Sequence, residues 1–460
     1  MKQIITLLAV FFVATTMVVA QTQTTLATQL APTVTQPMQT VDNVRYFENG
    51  DTYYHKRISY NENKATNHVE QFDIYGNDIV IRYIDQATKE TVTTSDFSNI
   101  GSHTLMISTD LESYLVGVPA VYSADTIFGT LTILREKEMP LTIKKYDNKY
   151  TVTFHFPHDT NTISEYWYMK SYEAKDFFTD ERTFGNFLFH DLSYGVRLGI
   201  DGYYFQTPHN YVPGGEGVLY KHPSCLAGIS LAKYGTTQFA KNLGSAMIGV
   251  HLDNQNEYGF WETGPRSEWL FTDFHFGSGF YDTRFNSDLV TSLAFLYMRD
   301  GNQLYYDAVI KYMDFFEMLI RDFSHESLYG GVFVVDYYHP NSTEKTHTSL
   351  NHMLAEINTL LNVYKMTGDE KYLDYANKMI LAIEDTRDLW ILEDGNLKYE
   401  LFYTKNTNVM QDYVYLTYND MFTLQNTLVS VFGTRNETID YLMASKRSWL
   451  IQNNALDYRQ

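Results

Sequence analysis

Paired carboxylates are the first groups in this chain whose types and spacing could do chemistry. Glu262 and Glu268 accompany Trp261 and Trp269. Two carboxyls about 5–10 Å apart across a cleft would form the acid and base of a glycoside hydrolase. The competing reading, surface acids beside core tryptophans, is the one favoured here. Arg284 lies among Tyr281, Asn286 and Asp288. A guanidinium can hold a carboxylate through two parallel hydrogen bonds. An ion pair with Asp282 or Asp288 competes for it. His209, His222, His251, His275, His347 and His352 are scattered, and the last two miss the same-face spacing of a zinc helix motif. No clustered ligand set is visible, so neither metal nor cofactor is expected. Cys225 is the only cysteine. An intrachain disulfide is therefore excluded, and Cys225 reads as a small buried apolar residue.

These groups need elements to hold them. An apolar helical run, a Tyr, a Gly and an aromatic-rich run with Ala and Lys recur along the second half. Tyr234, Tyr297 and Tyr364 mark the copies, 63 and 67 residues apart. In the second and third copies the Gly follows four residues after the Tyr (Gly301, Gly368); in the looser first copy Gly235 follows directly. Such spacing predicts helical hairpins stacked so that each buries its neighbour's apolar face. The expected fold is α+β and multidomain, a β-rich N-terminal domain followed by an α/α toroid of hairpins.

Residues 44–190 carry the β signal. Period-two runs at 78–84, 104–108, 127–134, 150–156 and 165–169 read as short strands. Residues 191–222 are rich in Gly, Tyr and Pro and read as a junction loop, a common place for a binding site. Helical periodicity fills 223–460. At the start, residues 1–20 read as a secretory signal peptide, with cleavage expected after Ala20. An uncleaved signal anchor in a secretory-pathway membrane is the alternative. Residues 21–43 read as a Thr/Gln-rich linker. A net charge of −20 argues against nucleic acid as a partner. Sequons at Asn341 and Asn436 matter only where the source glycosylates.

Four blocks in order resemble the C-terminal helical domain of D-glucuronyl C5-epimerases. Residues 231–243 (Leu-Ala-Lys-Tyr-Gly-Thr-Thr-Gln-Phe-Ala-Lys-Asn-Leu) are similar to the block that opens that domain. Residues 279–290 resemble its Gly-aromatic-Tyr block, 397–401 its late Tyr-Asp-Leu block, and 412–425 its Asp-Tyr block ending Leu-Gln. The family's Ser and Gln-Gly become Asp282 and Asn286-Ser287, and its Arg and His near the later blocks are missing.

The resemblance implies a secreted isomerase that removes and returns the C5 proton of a uronate residue in a polysaccharide. It implies catalytic roles for Glu344, Tyr399 and one of Tyr413, Tyr415 and Tyr418, with Tyr281, Arg284 and Asn286 binding substrate. In the family a Glu-Tyr pair precedes the helix corresponding to 350–364, and Glu344 is the nearest acid by that count. The chemistry needs an acid, a base and stabilisation of an enolate, and no cofactor. A lyase or glycoside hydrolase on the same scaffold, or a glycan-binding protein without activity, are the alternatives. A homodimer is left open.

Overall fold

The computed structural model describes residues 38–62, 64–85, 87–98, 100–125, 127–173, 195–402 and 410–459. The expected signal peptide, most of the expected linker and residues 174–194 lie outside them. Among the described residues no helix is long and apolar enough to cross a membrane.

Two antiparallel sheets form the N-terminal part. Twelve strands make the larger one, with Thr162–Ser171 near its middle between Ser113–Val116 and Ala120–Asp125, and also paired with Thr52–Tyr60. Thr142–Tyr146, Lys149–His158 and Thr66–Tyr75 make the smaller. Alternation along Lys149–His158 sends Tyr150, Val152, Phe154 and Phe156 inward. They meet Ile58, Ile107, Val116 and Tyr166 of the larger sheet in one apolar cluster. This is the face-to-face packing of a sandwich.

The five period-two runs all fall on strands. The expected junction does not stay a loop. Val196–Gly199, Gly202–Gln206 and Val218–Lys221 add three strands to the edge of the larger sheet. The expected linker also gives its last residues to the strand Met38–Tyr46.

Nine helices follow among the described residues: α1 (Leu226–Tyr234), α2 (Gln238–Leu252), α3 (Glu268–Phe274), α4 (Thr283–Asp300), α5 (Gln303–Asp322), α6 (Leu350–Thr367), α7 (Glu370–Asp385), α8 (Leu416–Phe432) and α9 (Glu437–Gln452). Pairs α1/α2, α4/α5, α6/α7 and α8/α9 pack as hairpins, and α1, α4, α6 and α8 touch in succession. The result is two layers. Helices in the first layer are enclosed from several sides, so α6 buries Leu350, Met353, Leu354, Ile357, Leu360, Leu361 and Val363. A second-layer helix buries one stripe, as α7 does with Tyr372, Ala376, Met379, Ile380 and Ile383.

The repeat in the sequence is the hairpin turn. Gly301, Gly368 and Gly433 end α4, α6 and α8 at φ of 68°, 72° and 76°. Their N–H groups bond the carbonyls of Tyr297, Tyr364 and Val429. A left-handed residue stops a helix in this way, and glycine adopts it without steric cost. Asn302, Asp369 and Asn436 then cap the returning helix with their side chains. The looser first copy turns differently: Gly235 has φ −56°.

This geometry places the N-terminal ends of α4, α6 and α8 at one end of the array. Two-residue strands stitch the segments there. Tyr281–Asp282 pairs with Tyr337–Tyr338, and Thr348–Ser349 with Glu400–Leu401.

Candidate active site

A cavity of about 670 Å³ opens at that end. Its walls are aromatic: Tyr211, Trp269, Tyr337, Tyr399 and Tyr413. Asn210, His347, Glu400, Gln411 and Asp412 supply its polar groups. Flat aromatic faces among a few placed polar groups suit a ligand that presents both C–H faces and hydroxyls.

Beneath this wall lies an ionisable cluster centred on Asp336, which is fully buried. Asp336 accepts the Ser349 N–H at 2.8 Å and the Ser349 hydroxyl at 2.6 Å. His347 Nε2 stands 3.2 Å from Asp336 and 3.3 Å from Glu400. Burial pushes the Asp336 pKa up, but the imidazoles of His352 and His347 and the Ser349 hydroxyl outweigh it and hold the group below its ordinary value. Burial pushes His347 down, yet its two acidic neighbours leave it raised. Asp336 and His347 thus each shift the other toward its charged form, the acid downward and the imidazole upward.

Glu400 behaves differently. Burial raises its pKa, and His347 only partly offsets this. Deeper acids are shifted further. Asp282 caps α4 through the Phe285 N–H, and burial brings it to about 7, with Asp336 adding to the rise. Glu356, on α6, is fully buried and raised well above its ordinary value by desolvation and by Asp336. His352 is lowered to about 4 by burial and accepts or donates at the Thr283 hydroxyl, 2.7 Å away. Such concentrations of shifted groups beside a cavity are typical of functional sites.

The tyrosines form a second group. Tyr399 and Tyr413 meet edge to face, with ring centroids 5.6 Å apart. Burial raises both pKa values. Near neutrality they are phenols, able to give a proton and not to take one. Tyr413 is held by its backbone. Buried Lys446 donates to the Tyr413 carbonyl at 2.8 Å, to Asn396 at 2.6 Å, and pairs with Asp412 at 2.9 Å.

Of the residues expected from the sequence, Tyr399 and Tyr413 are brought together in the cavity wall. Glu344 is not: it is exposed, in a loop where its N–H bonds the Ser342 hydroxyl. Tyr415 precedes α8 and packs against the core, and Tyr418 is buried against Tyr458. Tyr281 is fully buried, sharing a 2.7 Å hydrogen bond with Tyr312. Arg284 is committed to Asp420, through bonds of 2.6 and 3.1 Å, and to Asp288 at 3.0 Å. Asn286 is buried and bonds the backbone of Trp261. Glu262 and Glu268 are exposed and bond Asn256 and Arg266.

Sequence reasoning passed over Asp336-Tyr337, His347 and Glu400. The dipeptide Asp336-Tyr337 also precedes α6. Residues between it and α6 make an excursion that closes on itself, with the Asp336 N–H bonding the His347 carbonyl. Counting back along the chain from α6 therefore lands on Glu344. The excursion, which the sequence does not show, brings Asp336 to Ser349 at the start of α6 and leaves Glu344 exposed.

No protein-family model matches the chain, and no curated protein does. Among solved structures it is similar to a family 76 glycoside hydrolase from a bovine Bacteroides thetaiotaomicron strain, at 12% identity and TM-score 0.40 over 86% of this chain and 74% of that one. It is also similar to cellobiose 2-epimerase from Bacillus thermoamylovorans, at 15% identity and TM-score 0.40 over 58% of this chain and 69% of that one. An unsaturated glucuronyl hydrolase from Streptococcus agalactiae matches at 12% identity and TM-score 0.35, over 50% of this chain and 57% of that one. Several of the solved structures it resembles are spanned for little more than half their length. Likeness at this level leaves the reaction to be read from the site itself.

Proposed function

We propose that this chain is a glycan-modifying isomerase that exchanges the C5 proton of a uronate residue held in the aromatic cavity. What supports the reading most is one juxtaposition. Tyr337 and Glu400 share the cavity wall with Tyr399 and Tyr413, and Asp336 lies directly behind through His347. Glu400, once ionised, takes the C5 proton. The electron pair moves into the uronate carboxylate as an enolate, whose charge His347 opposes when protonated. A phenol of the Tyr399–Tyr413 pair then delivers a proton to the opposite face, and the configuration inverts. The role that the resemblance implies for Glu344 passes to Glu400.

One observation favours a second reading. Among the described residues that line the cavity there is no Lys or Arg. A neutral glycan would meet no cation but His347, and Glu400 in its protonated form would then donate to a leaving glycosidic oxygen, as in a hydrolase.

Variants separate the roles. On the isomerase reading, Glu400→Gln and Tyr399→Phe each lower C5 exchange on heparosan by roughly 100-fold or more, the scale of a positioned acid or base. Glu344→Gln leaves it unchanged. Loss of exchange in the Glu344 variant alone would overturn the assignment.

A further inference from the structure

A second cavity, of about 580 Å³, lies at the opposite end of the array. Three segments meet there: the turn between Met38–Tyr46 and Thr52–Tyr60, the start of α2, and the turn that joins α4 to α5. α4 has 18 residues, so about 27 Å of helix separates this end from the first cavity. α2 presents a polar stripe here. Gln238, Asn242 and Ser245 follow at i, i+4 and i+7, while the rest of the helix buries Phe239, Leu243, Met247 and Val250.

Two amides of this cavity are pinned at one end and open at the other. Asn49 Oδ1 accepts the Asp51 N–H at 3.3 Å and Asn242 Nδ2 at 3.0 Å. Asn242 Nδ2 also donates to Asp51 Oδ2 at 2.9 Å, and Asn242 Oδ1 accepts Gln238 Nε2 at 2.8 Å. A backbone N–H and a carboxylate thus fix which end of each amide is oxygen and which is nitrogen. Among the described residues, Asn49 Nδ2, Gln238 Oε1 and the Glu48 carboxylate carry no hydrogen bond. One donor and one carbonyl are therefore held in place, with a carboxylate and the ring of Phe47 beside them. The charge is one-sided: Glu48 and Asp300 line the cavity, and among the described residues no Lys or Arg does. Arg299 engages both oxygens of Asp300, at 2.5 and 2.6 Å. Glu48 alone is then left as a free carboxylate, short of the acid–base pair that cleavage of a glycosidic bond needs.

We propose that this cavity is a second, non-catalytic glycan site that holds an uncharged pyranose residue, a role independent of the C5 reading. A sugar hydroxyl both gives and accepts a hydrogen bond, which suits Asn49 Nδ2 beside Gln238 Oε1 and Glu48. The C–H face of the ring suits Phe47. Glu48 and Asp300 repel a uronate carboxylate and so select a neutral hexose or N-acetylhexosamine unit. The amide donor opposes a metal ion, and among the described residues no group of His, Cys, Asp and Glu could hold one. Because Asn242 holds both amides before the ligand arrives, little ordering is left to the binding step.

Calorimetric titration of the full chain with cellotetraose, mannotetraose and tetra-N-acetylchitotetraose tests this. Wild type is compared with Tyr413→Ala, in the first cavity, and with the double variant Asn49→Asp, Gln238→Lys. Asn49→Asp keeps the oxygen that accepts Asp51 and Asn242 and removes the open nitrogen. Gln238→Lys keeps a donor toward Asn242 and removes the open carbonyl. The site predicts millimolar or tighter binding of at least one tetrasaccharide, which persists in Tyr413→Ala and weakens by about 10-fold or more in the double variant. Phe47→Ala should weaken it as well, and replaces the double variant if that does not fold. No binding to wild type would overturn the site. So would binding that is lost in Tyr413→Ala and unchanged in the double variant, since the sugar would then sit in the first cavity. Neither result bears on C5 exchange, which is read separately on the uronans.

Discussion

At the scale of single residues, burial decides what each carboxyl can do. Glu400 faces the cavity with a raised pKa, so its ionised, base-competent form appears only above the ordinary carboxylate range. The acid limb of the C5-exchange rate should be displaced upward accordingly, and a pH profile of kcat/KM reads it. Asp282 gives a stability test. Its folded pKa, about 7, exceeds the unfolded value near 3.8. Its contribution is therefore fully present below about pH 4 and is lost as pH rises through 7. Asp282→Asn keeps a good helix cap and removes the titration. Relative to that variant, wild type should lose roughly 4 kcal/mol of stability between pH 4 and pH 8, read by urea unfolding. An unchanging difference would mean that Asp282 is not buried as described. Residues were only partly legible in the sequence. Tyr399 and Tyr413 were singled out by the resemblance of the blocks that hold them, and both line the cavity. Glu400 sits beside Tyr399 in plain view, but nothing in its type separates it from the many surface acids of a chain of net charge −20.

At the scale of elements, the hairpin turns carried the strongest message. Glycine after the helix and Asn or Asp opening the next one are local signals, set by φ and by capping, and survive without tertiary context. Gly368→Ala tests this. An added Cβ would meet nothing within 4 Å, so only the backbone conformation at φ 72° is at stake. The variant should lose about 1 kcal/mol, and Gly368→Asn should lose less. Both are measurable by urea unfolding, and a neutral alanine would contradict the left-handed turn. Strands were less legible where composition misled. Residues 195–221 carry Gly, Tyr and Pro at a density that reads as loop. Yet short strands of four or five residues there pair at the edge of an existing sheet, where register comes from the neighbour.

For the molecule as a whole, the boundary between a β-rich part and a helical part is real in topology but not in packing. Tyr53, Met106, Leu115, Trp167 and Met169 of the larger sheet share one apolar cluster with α1, α2 and the first-layer helices. Asn242 on α2 reaches back to bond Asn49 at 3.0 Å and Asp51 at 2.9 Å, and Arg45 pairs with Asp253 at 2.9 Å. A two-domain reading of the sequence could not have shown this, because a strand such as Thr162–Ser171, buried on both faces, does not reveal what covers the second face. Heating the protein should give one calorimetric transition across both parts, since unfolding either one exposes the cluster that joins the larger sheet to the helices. Two separated transitions would show that the shared cluster contributes little.

The central claim is that this cavity moves a proton at C5 of a uronate. Incubating the wild-type protein with heparosan, alginate and related uronans in heavy water, and reading C5 by NMR, tests it most directly. The account predicts deuterium at C5 of at least one of these polymers, with chain length unchanged. Deuterium in none of them, or new reducing or unsaturated chain ends in place of exchange, would contradict it.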